Sequence, residues 1–183
     1  MLNIIYLLLF SFLITSMEAG TFLADLSNDN SVVMKYNDSG FVNYIYTNGL
    51  NDIDAEWVLR NHADIFGVDN HLQNLKSNGI YFSKTGASHV KYQQIYKGIP
   101  VFGRYISFHT NVNGQLSSIT SDYVPNIHFS HNAFNINNFN TVLFEAFKET
   151  DAIFSNYKQV IFTYNTDPIQ AYMIDISTMD NSS

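Results

Sequence analysis

SHVKYQQIYKGIPVFGRYISFHTNVNGQLSSITSD, residues 88–122, holds three β-rich runs separated by glycine-bearing turns. His89–Tyr96 and Ile99–Thr110 flank Lys97-Gly98, and Gln115–Ser121 follows Asn113-Gly114. Asn-Gly between two strand-like runs is a strong hairpin signal, because a type I′ turn needs positive φ at both central residues. Gly98 is the residue expected to take positive φ at the first turn. Gly103, inside a strand, has no side chain where a second layer or a partner would approach closely. The stretch therefore reads as an antiparallel meander of about three long strands.

Upstream, Gly79–Lys84 alternates enough to be a strand joined to the meander by Thr85–Ser88, which makes four strands between Gly79 and Asp122. Leu72–Leu75 reads as a connecting turn. Asp52–Phe66 is the clearest helix. Asp52 or Asp54 can cap it, Glu56 suits its first turn, and Gly67 can end it in a left-handed conformation. Ala55, Trp57, Val58, Leu59, Ala63, Ile65 and Phe66 form its apolar stripe, and Trp57 reads as a core or half-buried anchor. Before the helix, Ser31–Met34 and Phe41–Thr47 read as short strands that can pair around Asn37–Gly40.

The residues His89, Val90, Lys91, Tyr92, Gln93, Gln94, Tyr96, Gly98, Pro100, Val101, Phe102, Gly103 and, on the next hairpin, Gly114 fill a recognisable pattern. Their type and spacing resemble the FTP motif of fungalysin/thermolysin propeptides, whose pattern runs close to hV+YqQ-x-y-x-G-h-P-V-f/y-G. The resemblance runs from about Ala55 to Ile127 and more weakly to Ser177. That family also has a helix ending like Ile65-Phe66-Gly67.

Downstream, Pro125 breaks the last strand and residues 128–139 read as a linker rich in Asn and His. Asn140–Thr150 is a short amphipathic helix with Asn140 or Thr141 as cap. Tyr157–Tyr164 and Ile169–Ser177 are strands around the turn Asn165–Pro168. This order resembles the opening of the PepSY-type unit that follows FTP in thermolysin-like precursors. The expected fold is α+β: an antiparallel β meander packed on a helix, followed by a small incomplete helix–strand–strand unit. The expected divisions are a signal peptide (1–19), an N-terminal strand and loop segment (20–51), an FTP-like domain (52–127), the linker, and a partial PepSY-like unit (140–183). The family's next strand does not follow, so an unpaired edge is expected at the end of the second unit.

Composition narrows the function classes. The 183 residues are 46% apolar and 15% aromatic, enough for a real core. Only 14% are charged, and 22 asparagines fill much of the remaining surface. The formal net charge is −7 and the nine Lys and Arg are scattered. Nucleic acid and anionic membrane are therefore not expected partners, since both need clustered cations. The absence of cysteine excludes disulfides, thiolate zinc sites and a Cys nucleophile. Leu2–Ile14 is almost wholly apolar but spans only about 20 Å against a hydrocarbon core of about 30 Å. It reads as the core of a cleaved secretory signal, with cleavage after Ser16 or Ala19; an uncleaved anchor and a buried strand are the alternatives. The chain is expected to be secreted and, once cleaved, free of the membrane. Asn37-Asp38-Ser39 is a candidate glycosylation sequon, and Asn181-Ser182-Ser183 is another at the chain end.

No catalytic pattern stands out. The glutamates are Glu18, Glu56, Glu145 and Glu149, and none lies between histidines spaced as in a His-Glu-x-x-His zinc helix. Among the six histidines, His128 and His131 are three apart in a loop with no third ligand indicated; solvated side chains are the plainer reading. No catalytic, cofactor-binding or metal residue is assigned. The candidate interface or fold-motif residues are Tyr92, Gln93, Gln94, Tyr96, Gly98, Pro100, Val101, Phe102 and Gly103, with Tyr105 beside them. Aromatics on an exposed meander suit an interface. Alternation favours core for any one of them.

The FTP resemblance implies a non-catalytic pro-region of a secreted thermolysin-like zinc metalloprotease, acting as inhibitor and intramolecular folding chaperone. The chain would then be a fragment or truncated precursor, and the full precursor would be a metalloendopeptidase. Its implied partner is that catalytic domain, in cis or in trans, and zinc would belong to the partner. The alternatives are a free-standing secreted inhibitor or binding module acting in trans, and a secreted structural or nutrient-binding domain that keeps only the fold.

Overall fold

A computed structural model describes residues 32–128, 141, 143, 145, 147, 148, 152–164 and 167–178. The expected signal segment, nearly all of the linker and the Asn181 sequon lie outside the described residues. The chain divides into two compact units, the first running to Gln94 and resuming over Arg104–Pro125, the second holding Ile95–Gly103 and the chain from Asn126.

The first unit is an antiparallel sheet with a helix on one face. Its strands are β1 (Val33–Tyr36), β2 (Val42–Leu50), β3 (Leu75–Phe82), β4 (Ser88–Tyr96), β5 (Ile99–Thr110) and β6 (Leu116–Ser121), in the order β1-β2-β6-β5-β4-β3. β4 runs past Gln94 into the second unit, and β5 begins there over residues 99–103. β3 to β6 form the expected four-stranded meander. The segment set apart as 20–51 adds two more strands to the same sheet, with Ile45 opposite Ile119. At the β1–β2 turn, Asn37 Oδ1 accepts hydrogen bonds from the amides of Ser39 and Phe41, each at 3.0 Å. A short polar side chain imitating backbone is what nucleates such a turn.

Helix α1 (Ala55–His62) starts where Asp54 caps it, accepting from the Trp57 amide at 2.7 Å. A 3₁₀ turn over Ala63–Phe66 tightens its end, and Gly67, with φ of 80°, terminates it. Val58, Leu59, Ala63 and Phe66 face a core built with Val42, Ile45, Ile106, Phe108, Leu116 and Ile119. Each large side chain so buried contributes roughly 1.5–3 kcal/mol. Trp57 lies at the margin of that stripe, 37% exposed, with its ring centroid 5.0 Å from that of His62.

Several expectations are corrected. Leu72–Leu75 is not a plain turn: His71–Asn74 is a single helical turn, α2, capped by Asn70, and Leu75 already begins β3. Asn70 was the overlooked cap. The type I′ turn expected at Asn113-Gly114 forms instead at Lys97-Gly98, where Gly98 takes the expected positive φ. Lys97 and Gly98 both have positive φ, 48° and 83°, as type I′ requires. At Asn113-Gly114 only Gly114 is left-handed, at 79°, and its amide bonds the Asn111 carbonyl at 3.0 Å. That is a type I turn followed by a left-handed glycine, the longer hairpin loop.

In the second unit, β7 (Ala152–Phe162) starts five residues before the expected Tyr157 and pairs antiparallel with β8 (Ile169–Thr178) along its whole length. Val101 of β5 pairs in parallel with Ile161 of β7, so the β4–β5 tip belongs to this unit. Of the expected helix over 140–150, residues 141, 143, 145, 147 and 148 are described; the first four are helical and 148 is already a turn.

Candidate functional site: the β4–β5 hairpin

The motif residues divide between two tasks, both structural. Tyr92 packs against the first unit's core and meets Phe108 edge-on at 5.8 Å. Its hydroxyl pKa is raised by burial and by Glu56 and Asp54 near the start of α1. Gln94 is buried, 2% exposed, and grips the backbone of one residue of the chain leaving β6. Its Oε1 accepts from the Val124 amide at 3.0 Å, and its Nε2 donates to the Val124 carbonyl at 2.7 Å. The amide side chain thus supplies the rung that a further strand residue would supply. It also hydrogen-bonds Tyr123, whose pKa is raised by burial and then by Asp69. Gln93 donates to the Arg104 carbonyl at 2.8 Å. Both consecutive glutamines thus satisfy backbone groups.

The remaining motif residues build the second unit. Tyr96 stacks under the Lys97 ammonium, 5.2 Å from its ring centroid. Gly98 completes the turn, Pro100 lies next to Val101, and Val101 is fully buried opposite Ile161. Phe102, 39% exposed, lies 6.0 Å from the Phe162 ring, which in turn meets Tyr164 at 5.6 Å. Gly103 takes φ of 68°, and a Cβ there would stand 2.7 Å from the Tyr164 hydroxyl, which itself donates to the Gly103 carbonyl at 3.3 Å. The close approach expected at Gly103 is therefore made by this chain's own Tyr164.

Beside the motif lie a pairing and an exposed patch that the sequence did not reveal, although a surface or hydrogen-bonded structural role is what His89 and His109 on the meander suggest. On the face of β4 and β5 away from α1, His89 Nδ1 and His109 Nδ1 are 2.7 Å apart. Lys91 lies over the Tyr105 ring at 4.9 Å. The His109 pKa is lowered by burial, then by His89 and Lys91. A two-residue turn at Lys97-Gly98 with regular pairing would place His89 opposite Ile106, three positions short of His109. The spacing of the sequence alone therefore does not bring the two rings together. At the end of the sheet order, β3 exposes three consecutive apolar residues, Ile80 at 60%, Tyr81 at 56% and Phe82 at 75%. Among the described residues no three His, Cys, Asp or Glu side chains cluster as metal ligands, and no helix is long and apolar enough to cross a membrane.

The first unit is thus a helix-backed antiparallel meander whose signature side chains brace backbone. Residues 73–123 match the family model of the Fungalysin/Thermolysin Propeptide Motif, a motif of metalloprotease propeptides. The matched range frames β3 to β6 within two residues at each end. No curated protein matches the chain.

Proposed function

We propose that this chain is the non-catalytic pro-region of a secreted thermolysin-like zinc metalloprotease, which it inhibits and helps to fold. The observation that carries the reading is the coincidence of the propeptide match with a complete meander in which Gln94 and Val101 of the motif are engaged within the fold. The physical basis is linkage. A segment that binds the native or near-native protease and not its unfolded chain stabilises the folded enzyme, and a bound segment can cover the cleft. In this reading zinc and the catalytic groups belong to the protease, the chain is extracellular, and residues from 140 onward serve as a PepSY-like companion. Ile80–Phe82 on edge strand β3 supports the same reading, because an exposed apolar edge is suited to pair with a partner's strand. Action in trans, as a free-standing inhibitor, is the second reading, favoured by the same exposed edge.

The test titrates the full chain into a thermolysin-like protease, both active and denatured. Inhibition at micromolar concentration or below, or recovered activity on refolding, is the expected result. A folded chain that does neither against the protease encoded with it overturns the proposal, and so does turnover of casein by the chain alone.

A further inference from the structure

The two histidines facing each other across β4 and β5 have a geometry with a specific chemical meaning. Their Nδ1 atoms are 2.7 Å apart, and the ring centroids, 4.9 Å apart, are nearly as distant as that contact allows. The two Nδ1 atoms therefore point at one another, which is the arrangement of a hydrogen bond. A shared metal would instead need both lone pairs aimed at a third point, about 2.0–2.1 Å from each nitrogen. Between two facing imidazole nitrogens there is room for one proton: one ring donates, and the other accepts.

We propose that the His89–His109 pair is an acid-released clasp across β4 and β5, held by one shared proton and opened when a second is forced between the rings. Starting from neutral rings, the first added proton goes to the far nitrogen of the donor ring. The Nδ1–H···Nδ1 bond survives this step and is charge-assisted. The next proton must go to the accepting Nδ1. Two N–H groups then face each other, and two positive charges lie within hydrogen-bond distance.

Among the described residues, no anion acts on His109. The charged groups acting on His109 are His89 and Lys91 of β4. On β3 the residue opposite His89 is Tyr81, and on β6 the residue opposite His109 is Ser118. Ser117 Oγ donates to the His109 carbonyl at 2.9 Å and adds no charge. The lowered pKa of His109 agrees with this setting. The pair sits where β4 begins and β5 ends, next to the Ser88–Thr110 hydroxyl contact of 2.7 Å. Opening it releases the strand ends that carry the turns at Ser83–Ala87 and Asn111–Gln115. This chemistry does not depend on the pro-region reading.

The experiment follows the histidine ring nitrogens of the full, nitrogen-15-labelled chain from pH 8 to pH 5. Thermal unfolding is measured at pH 7.5 and 5.5 for the parent, His89→Gln, His109→Gln and, as a control for the other buried histidine, His62→Gln. The expected result is two separated protonation steps for the pair. The parent's folding constant should also fall at least about fivefold more than that of His89→Gln, roughly 2–4 °C in Tm. His62→Gln should keep that difference. Independent titration of the two rings at one pH, or a parallel loss in parent and both pair variants, would overturn the clasp. Should the glutamine variants fail to fold, the ring titration of the parent decides alone.

Discussion

Replacing Gln94 probes the motif most sharply. In Gln94→Ala, the Val124 amide and carbonyl lose partners at 3.0 and 2.7 Å. Each hydrogen bond is worth about 0.5–1.5 kcal/mol net, and a group left unsatisfied away from water costs about 1–3 kcal/mol. Val124 is only half-buried, so water recovers part of this. A side chain 2% exposed also leaves a void. The sum is a loss of about 2–4 kcal/mol in urea unfolding followed by tyrosine fluorescence. Gln94→Glu separates hydrogen bonding from packing, because its volume is nearly unchanged. At neutral pH a carboxylate oxygen would face the Val124 carbonyl in place of a donor. Burial and that carbonyl both raise the folded-state pKa of the introduced carboxyl above its unfolded value of about 4.3. The folded state then binds more protons than the unfolded, so the variant gains stability relative to the parent as pH falls toward about 4, the reverse of ordinary acid denaturation. A loss below about 1 kcal/mol in Gln94→Ala would refute the clamp. So would a Gln94→Glu difference from the parent that does not change with pH.

Four further outcomes are expected. Gly103→Ala should destabilise the second unit by about 1–3 kcal/mol, from left-handed strain plus displacement of the Tyr164 hydroxyl. In a Tyr164→Ala background the strain cost alone should remain, as a double-mutant cycle measures. Lys97→Asn should stabilise by about 0.5 kcal/mol, since relief of roughly 1 kcal/mol of left-handed strain exceeds a cation–π contact of about 0.5 kcal/mol; chemical denaturation reads the sign. Burial lowers the pKa of both His62 and His109, so below pH about 6.5 the unfolded chain takes up protons that the folded chain resists. Stability should therefore fall as pH drops through that value, and scanning calorimetry at pH 7.5 and 5.5 checks it. Ile80→Lys with Phe82→Lys should leave stability within about 0.5 kcal/mol, because both residues are exposed, yet weaken protease inhibition at least tenfold in a titration.

What the sequence made legible was local. The strands and turns around residues 88–122 follow from alternation and glycine placement, and α1 follows from Asp54, its apolar stripe and Gly67. What stayed hidden depended on chain sections far apart. Val124 as the partner of Gln94 is thirty residues away, and nothing in either residue's type names the other. The type I′ turn went to Lys97-Gly98 although lysine rarely takes positive φ. The turn there has only two residues, and I′ twist matches its strands. At Asn113-Gly114 the Asn111 side chain offered a competing anchor, accepting from the amides of Asn113 and Gln115 and selecting the longer loop. The facing histidines lie twenty residues apart, and no periodicity pairs them.

The internal use of the motif redirects the search for the binding surface. Tyr92, Gln93, Gln94 and Val101 are engaged with this chain's own core or backbone, and Phe102 and Gly103 pack on Phe162 and Tyr164. Substituting them would weaken binding only by unfolding what presents the surface. Edge strands that stay free in solution are usually guarded by charge, proline or a covering element. Between Lys76 and Lys84, β3 carries no charged residue and no proline, and its last three side chains are apolar and exposed. Such an edge is a hazard unless something pairs with it, which fits a chain held against a partner. Binding and stability should therefore separate under mutation, with binding lost at Ile80–Phe82 and stability lost at Gln94 and Gly103. Equal loss of both at every position would mean that the motif itself meets the protease.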